Sequence, residues 1–376
     1  MNLEFTEEQV ALRDLVRRFL SEKASISEHV RTMLDHPTGT TQPLWQGLAD
    51  LDVTGLLVPH DYGGAGATMV EAGIVLEEMG RALDPGPWQS TAVAATRTLA
   101  RLNATEHAAD VLTGIADGSV TATVCLPHAQ DVVATALVTD SLVTGTFTAV
   151  PDAAAANVLL IPVPTATRIS LFAVEIPSAG VEITPQPTVD RTRKQFRVTL
   201  VNTPARHLGT ASTTGLAAVI DDVLIASAAD ALGAAQRILE LSIDHARTRQ
   251  QFGRPIGAFQ AVQHLCVDMF ETVELARGGV LRALWAADFA SDEYRHLAAI
   301  RTKAFAGRLA TVGEASIQIF GGIGFTWEHD AHLYLERLLS WSAFLGGPDR
   351  YLQEIGSHVA RGRQRTATPR STVSRA

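Results

Sequence analysis

Cysteine is scarce in this 376-residue chain: Cys125 and Cys266 are the only two, far apart and in no metal-ligand spacing. A disulfide framework and a cysteine-built zinc site are both excluded. Long hydrophobic runs are missing too, since no uninterrupted apolar segment approaches the roughly 18–20 residues of a membrane span. The opening Met1-Asn2-Leu3-Glu4-Phe5 has neither the basic nor the apolar stretch of a secretory signal. Positive charge is in deficit, with a formal net charge of -9 and no Lys/Arg-rich stripe before the C-terminal tail, which argues against a nucleic-acid partner. The phosphate loop G-x-x-x-x-G-K-[ST] and a strand–glycine loop–helix dinucleotide unit are absent. No histidine pairs with a Ser or Cys nucleophile in a triad motif: His29, His36, His107 and His296 fall in polar, loop-like or helix-surface contexts. What is present is 46% hydrophobic and 19% charged, at a length that suits two or three units of about 100–200 residues. The expectation is a soluble, cytoplasmic, multi-domain protein.

The chain reads as helices, then strands, then helices. Thr6-Glu7-Glu8-Gln9 has the form of a capping box, and Leu12, Leu15, Val16, Phe19 and Leu20 then recur on one helical face. Further helical stretches are expected at 44–51, 70–82, 90–102 and 106–115, with a turn-rich Pro59-His60-Asp61-Tyr62-Gly63-Gly64-Ala65-Gly66 between the first two. From Gly118 the texture changes to short Val/Thr/Ile runs broken by Pro and Gly, at 121–125, 142–146, 157–163, 170–174 and 196–201, without room for crossover helices. Helical periodicity returns at Leu216 and holds to about Val359. The fold class is therefore α+β, in segments 1–117, 118–208 and 209–360, with a basic, disordered tail over 361–376 that carries five arginines.

Two stretches carry most of the chemistry. Arg247, Arg249 and Arg254 cluster where a long helix gives way to Gly253 and Pro255. Cations at a helix C-terminus complement its dipole, while clustered guanidinium forks also suit a diphosphate. Farther on, Gln318-Ile319-Phe320-Gly321-Gly322 follows an apolar helix expected over 304–320. Its paired glycines either end that helix or let backbone amides approach a ligand. His329, His332 and Glu336 share one helix face by spacing, but their stretch reads as an ordinary helix start and no metal site is expected.

Taken together, Arg249-Gln250-Gln251-Phe252-Gly253-Arg254-Pro255-Ile256, Phe259-Gln260, Gln263-His264 and Gln318-Ile319-Phe320-Gly321-Gly322 resemble the acyl-CoA dehydrogenases. So do Phe5-Thr6-Glu7-Glu8-Gln9, Val58-Pro59-His60-Asp61-Tyr62-Gly63-Gly64 and the three-part order. The resemblance implies an N-terminal helical domain, a middle β-domain and a C-terminal four-helix bundle, with FAD lying across a subunit interface. In that scheme Arg249 and Gln251 address the FAD pyrophosphate, Phe252, Phe259 and Gln260 line its path, and Gln318, Ile319, Gly321 and Gly322 hold the adenosine half. The flavin ring of that FAD sits in the neighbouring subunit. Implied partners are an acyl-CoA thioester, a homologous subunit and an electron-transfer flavoprotein.

The chain departs from the family where the reaction happens. Family chemistry removes an α-proton with a carboxylate while a β-hydride passes to the flavin. In one branch the base is a Glu before a Gly; here a gapless reading places Leu345 before Gly346. In another branch the position falls at about Val223, leaving Asp221 and Asp222 as weak candidates if the helix register shifts; they otherwise read as an exposed acidic pair near the helix start. The Thr-Glu-Pro and Gly-Ser-Asp signatures of the flavin cradle are replaced by Thr123-Val124-Cys125-Leu126-Pro127 and Gly145-Thr146-Phe147-Thr148, with no later Trp in a strand. This implies the base-lacking partner of a hetero-oligomer that oxidises bulky acyl-CoA thioesters such as steroid side chains. A complete homo-oligomer using Asp221 or Asp222, and a flavin-free acyl-CoA-binding partner, remain the alternatives.

Overall fold

The computed structural model describes residues 4–126, 136–165 and 167–366. The first domain is built on helices α1 (Glu7–Lys23), α2 (Arg31–Met33), α3 (Gln42–Asp50), α4 (Met69–Ala82), α5 (Thr96–Arg101) and α6 (Ala109–Ala116). Thr6 and Gln9 close the expected capping box on α1, each side chain bonded to the other's backbone. Thr68 and Glu71 do the same for α4. A π-helical stretch, Gln89–Ala95, precedes α5, so the 90–102 expectation resolves into two helical forms.

The middle domain is two four-stranded sheets facing one core. Its strands are β1 (Ala122–Val124), β2 (Leu137–Thr139), β3 (Leu142–Pro151), β4 (Val158–Pro164), β5 (Arg168–Glu175), β6 (Val181–Gln186), β7 (Gln195–Pro204) and β8 (Arg206–Ser212). One sheet runs β1-β4-β5-β8 and the other β2-β3-β7-β6. Phe147, Phe172, Phe196, Val143, Leu159 and Ile161 fill the space between them. The pair β1–β4 is parallel, which requires a crossover; β2 and β3 of the opposite sheet lie along it. β2, β6 and β8 were not legible in the sequence. β8 also straddles the expected 208/209 boundary, and its pairing with β5 places it in the β-domain.

The C-terminal domain opens with α7 (Thr213–Thr248), a 36-residue helix. A two-stranded hairpin, β9 (Gln250–Gln251) with β10 (Arg254–Pro255), leads to α8 (Gln260–Phe289), α9 (Asp292–Ala306) and α10 (Ala310–Phe320). These four helices form the bundle. The helix expected over 304–320 is divided by a 3₁₀ turn at Gly307–Leu309. There a Cβ on Gly307 would come within 2.5 Å of Pro348 Cγ. α11 (Ala331–Ala343) and α12 (Pro348–Thr366) complete the fold, and the backbone of α12 runs into the segment expected to be tail. The rest of that tail, and Pro127 of the altered β-domain motif, lie outside the described residues.

The three domains share one large apolar cluster that extends from Val16 and Leu76 through Leu160 to Ile225, Val280 and Leu338. The tightest contact is α4 against α7, where backbone meets backbone: Gly80 faces the Asp230 carbonyl and Gly233 the Glu77 carbonyl. That crossing fixes α7 against the first domain and positions everything α7 presents to the interior.

Candidate functional site

A cavity of ≈ 110 Å³ lies where the three domains meet. Ala94 contributes from the first domain, Val124, Leu126, Ala149 and Pro151 from the second, and Val223, Trp341, Phe344 and Leu345 from the third. β3 reaches the cavity through a bulge between Phe147 and Val150. Ala149 takes φ 51 there, which re-aims the strand toward the cavity. Leu345 stands at φ 53, and its carbonyl accepts a 2.7 Å bond from Tyr351 Oη.

Both positions at which the sequence reading sought a carboxylate, Leu345 and Val223, face this one cavity, and both are apolar. Asp221 and Asp222 do not line it. A helix turns about 100° per residue, so with Val223 facing inward its two predecessors point elsewhere. Asp222 is 0% exposed and ion-paired with Arg97 (2.8 Å) and Arg101 (2.9 Å). Asp221 is 2% exposed, with His296 Nδ1 at 2.9 Å and Arg295 Nε at 3.7 Å. The expected exposed pair near the helix start is thus buried well inside α7, because arginines from α5 and cations from α9 come to meet it.

His296, expected on a helix surface, bridges Asp221 on α7 and Glu354 on α12, the latter at 3.0 Å. The hydrogen bond to Asp221, outweighing partial burial and helped by both carboxylates' charge, raises its pKa to about 9. Its contribution to stability is complete below the unfolded value of about 6.5 and is lost as pH rises through about 9. Thermal scans between pH 6 and 10 should show stability falling in that window. His296→Gln should flatten the fall.

The far end of the cavity is charged. Asp152, Asp190, Arg193, Lys194, Asp230 and Arg337 line it. Arg193 reaches Asp230 at 2.5 Å, and Arg337 lies 3.4 Å from the same carboxylate. Arg337 also donates to the Asp84 carbonyl (2.9 Å) and to Thr192 Oγ1 (3.0 Å). Lys194 Nζ donates to the carbonyls of Met33, Leu34 and Arg191. Burial pushes the Asp152 carboxyl up to about 6, against a hydrogen bond from Ser90. Sequence reasoning missed this network. Its one signal was the dense polar run Asp190-Arg191-Thr192-Arg193-Lys194 inside a strand-rich domain.

The second site lies at the end of the bundle. The Phe320 ring packs on His245 in the last turn of α7 (4.6 Å) and on His329 (4.1 Å). That stack brings the arginine loop and the Gly321-Gly322 turn together. Arg249 leaves α7 in an extended conformation, and Arg249, Gln251, Gln260 and Gln318 are exposed. Phe252 is 90% exposed, with its ring 6.0 Å from Phe259 in an edge arrangement. Arg254 stacks 4.2 Å over Phe259. Gly321 adopts φ 64, and a Cβ there or on Gly322 would meet nothing within 4 Å. An open glycine turn beside the exposed guanidinium groups of Arg249 and Arg254 and an exposed aromatic edge suits a planar ligand with a diphosphate. The residues present therefore fit FAD. Ile319 is the exception: its side chain is 6% exposed and turned into the core, which leaves only its backbone for a ligand.

His332, from the spacing considered for a metal, meets the Trp327 ring edge-on at 4.8 Å, and His329 Nδ1 accepts from the Ala331 amide. Among the described residues no three His, Cys, Asp or Glu side chains are arranged to hold a metal ion. Nor is any described helix long and apolar enough to cross a membrane.

The family descriptions "Acyl-CoA dehydrogenase, N-terminal domain" and "Acyl-CoA dehydrogenase, C-terminal domain" match residues 6–119 and 224–360. The chain is 32% identical to acyl-CoA dehydrogenase IpdE2 of Mycobacterium tuberculosis over 94% of its own length and 98% of the relative's. Among solved structures it is similar to a variant of the Tcur3481-Tcur3483 steroid ACAD, with TM-score 0.85, 30% identity and coverage of 95% and 99%. It is also similar to the ChsE4-ChsE5 complex of Mycobacterium tuberculosis, with TM-score 0.86, 26% identity and coverage of 98% and 100%. The chain belongs to the acyl-CoA dehydrogenase family, FAD-dependent oxidoreductases of acyl-CoA thioesters.

Proposed function

We propose that this chain is the base-lacking subunit of a cytoplasmic, hetero-oligomeric acyl-CoA dehydrogenase that acts on a bulky acyl-CoA such as a steroid side-chain thioester. The observation that carries the reading is the pairing of Leu345 with Val223 in one cavity. Neither side chain takes up a proton, and the nearby candidates Asp221 and Asp222 are turned into ion pairs. The bulk of the substrate and the mixed assembly are supported by the similar proteins, a steroid ACAD and a ChsE4-ChsE5 complex.

In this reading the chain binds and orients, and leaves proton abstraction to a homologous partner. Arg249 and Gln251 would hold the pyrophosphate of FAD, Phe252 and Phe259 would flank it, and the Gly321-Gly322 turn would face its adenosine half. FAD, when bound, supplies the acceptor for the substrate's β-hydride, and an electron-transfer flavoprotein would then take the electrons.

The test is Arg249→Ala in the complex co-purified with a carboxylate-bearing homologue. Loss of a charge-assisted bond of about 1.5–3 kcal/mol should weaken FAD retention about tenfold or more, read as absorbance near 450 nm per complex. Unchanged FAD content would count against the role. A complex colourless even without the substitution would favour a flavin-free, acyl-CoA-binding partner instead.

A further inference from the structure

The ring of Phe320 stands between the two halves of the FAD site, and the backbone on either side is anchored to its neighbours. On one side the arginine loop hangs from the last turn of α7. The Arg249 amide donates to the His245 carbonyl at 2.8 Å, and the Arg249 carbonyl accepts from the Ile256 amide, also at 2.8 Å. On the other side Gly321 takes φ 64, and a Cβ on Gly321 or Gly322 would meet nothing within 4 Å, so nothing packs on the turn where side chains would stand. Both ends of that turn close on one residue. It follows Phe320 directly in the chain, and Gly324 folds back until a Cβ there would lie 3.1 Å from Phe320 Cβ. Phe320 is 6% exposed, its ring packed on the imidazoles of His245 at 4.6 Å and His329 at 4.1 Å. His329 is held in turn, since its Nδ1 accepts from the Ala331 amide and its carbonyl from Arg31.

A ligand that spans a diphosphate and an adenosine needs both halves at one spacing, and halves already placed spare it the cost of ordering them. We propose that Phe320 is a positioning residue: its ring, stacked on His245, couples the arginine loop to the glycine turn, so that Arg249 reaches its full grip on the FAD diphosphate only while the ring is present. The proposal rests on the reading that this chain holds FAD. A ring that merely filled the core would lower stability and leave the contribution of Arg249 unchanged, and a double-mutant cycle separates the two.

FAD affinity of the co-purified complex is read from the flavin absorbance retained after dialysis against a series of FAD concentrations, with thermal unfolding of each variant alongside. Phe320→Leu should weaken FAD about tenfold. Arg249→Ala should cost about tenfold or more with the ring in place, and about threefold or less in the Phe320→Leu background. His245→Ala should also weaken FAD, whereas His245→Phe, which keeps a ring against Phe320, should stay within about twofold of the unsubstituted chain. These two variants carry the test should Phe320→Leu fail to fold. Equal losses from Arg249→Ala in the two backgrounds would overturn the proposal and leave the FAD reading standing. So would unchanged FAD affinity in Phe320→Leu and His245→Ala, or a loss in His245→Phe as large as in His245→Ala. Unchanged affinity in Arg249→Ala alone would overturn the FAD reading and the proposal with it, so the two failures are distinct.

Discussion

Gly233→Ala should lower the stability of the chain by about 3 kcal/mol or more, although alanine is the better helix former by about 1 kcal/mol. A Cβ at this position would sit 1.8 Å from the Glu77 carbonyl oxygen, and Gly80 stands in the mirror relation to Asp230 at the same 1.8 Å. Backbone has no rotamer with which to yield, so α4 and α7 would have to separate by more than about 1 Å, opening the large core on both sides. The shift would also carry Val223 and Asp230, which α7 presents to the cavity. Denaturant unfolding measures the loss. Gly356→Ala on α12, where a Cβ would meet nothing within 4 Å, serves as the control and should be neutral or stabilising.

Asp222→Ala should cost about 3–5 kcal/mol, the range for removing one partner of a buried ion pair. Arg97 and Arg101 would remain 12% and 22% exposed, facing an empty position. Asp288, 2.7 Å from Arg97, would compensate only in part. The loss should appear in the unfolding midpoint, and Asp222→Asn, which keeps two polar atoms in place, should lose less. A destabilised but fully active Asp222 variant would mark this carboxylate as a brace between α5 and α7.

Much of this architecture is legible in the sequence because it is local. Thr6 and Gln9 announce α1 through a contact three residues apart, and the capped, periodic helices follow from short-range pattern. β6 escapes notice because Pro185 interrupts a half-exposed strand, and β8 because His207-Leu208-Gly209 reads as a turn. The candidate site divides the same way. Arg249, Gln251 and Gly321 are visible through motifs, and Leu345 and Val223 through spacing from those motifs. Which way Asp221 and Asp222 point is not visible, since Arg97, Arg101, Arg295 and His296 decide it from other elements. The charged floor around Asp152 is hidden for the same reason: Ser90, Asp152, Arg193, Asp230 and Arg337 come from all three domains.

The central claim, that this chain grips FAD but supplies no base, is tested most directly by anaerobic reduction of the flavin. The co-purified complex should carry Asp221→Asn and Asp222→Asn in this chain, with FAD occupancy read from the same spectrum before acyl-CoA is added. Flavin bleaching at the unsubstituted rate is the expected result. A complex that keeps its FAD and yet no longer bleaches would contradict the account, and would return one of these two carboxylates to the reaction.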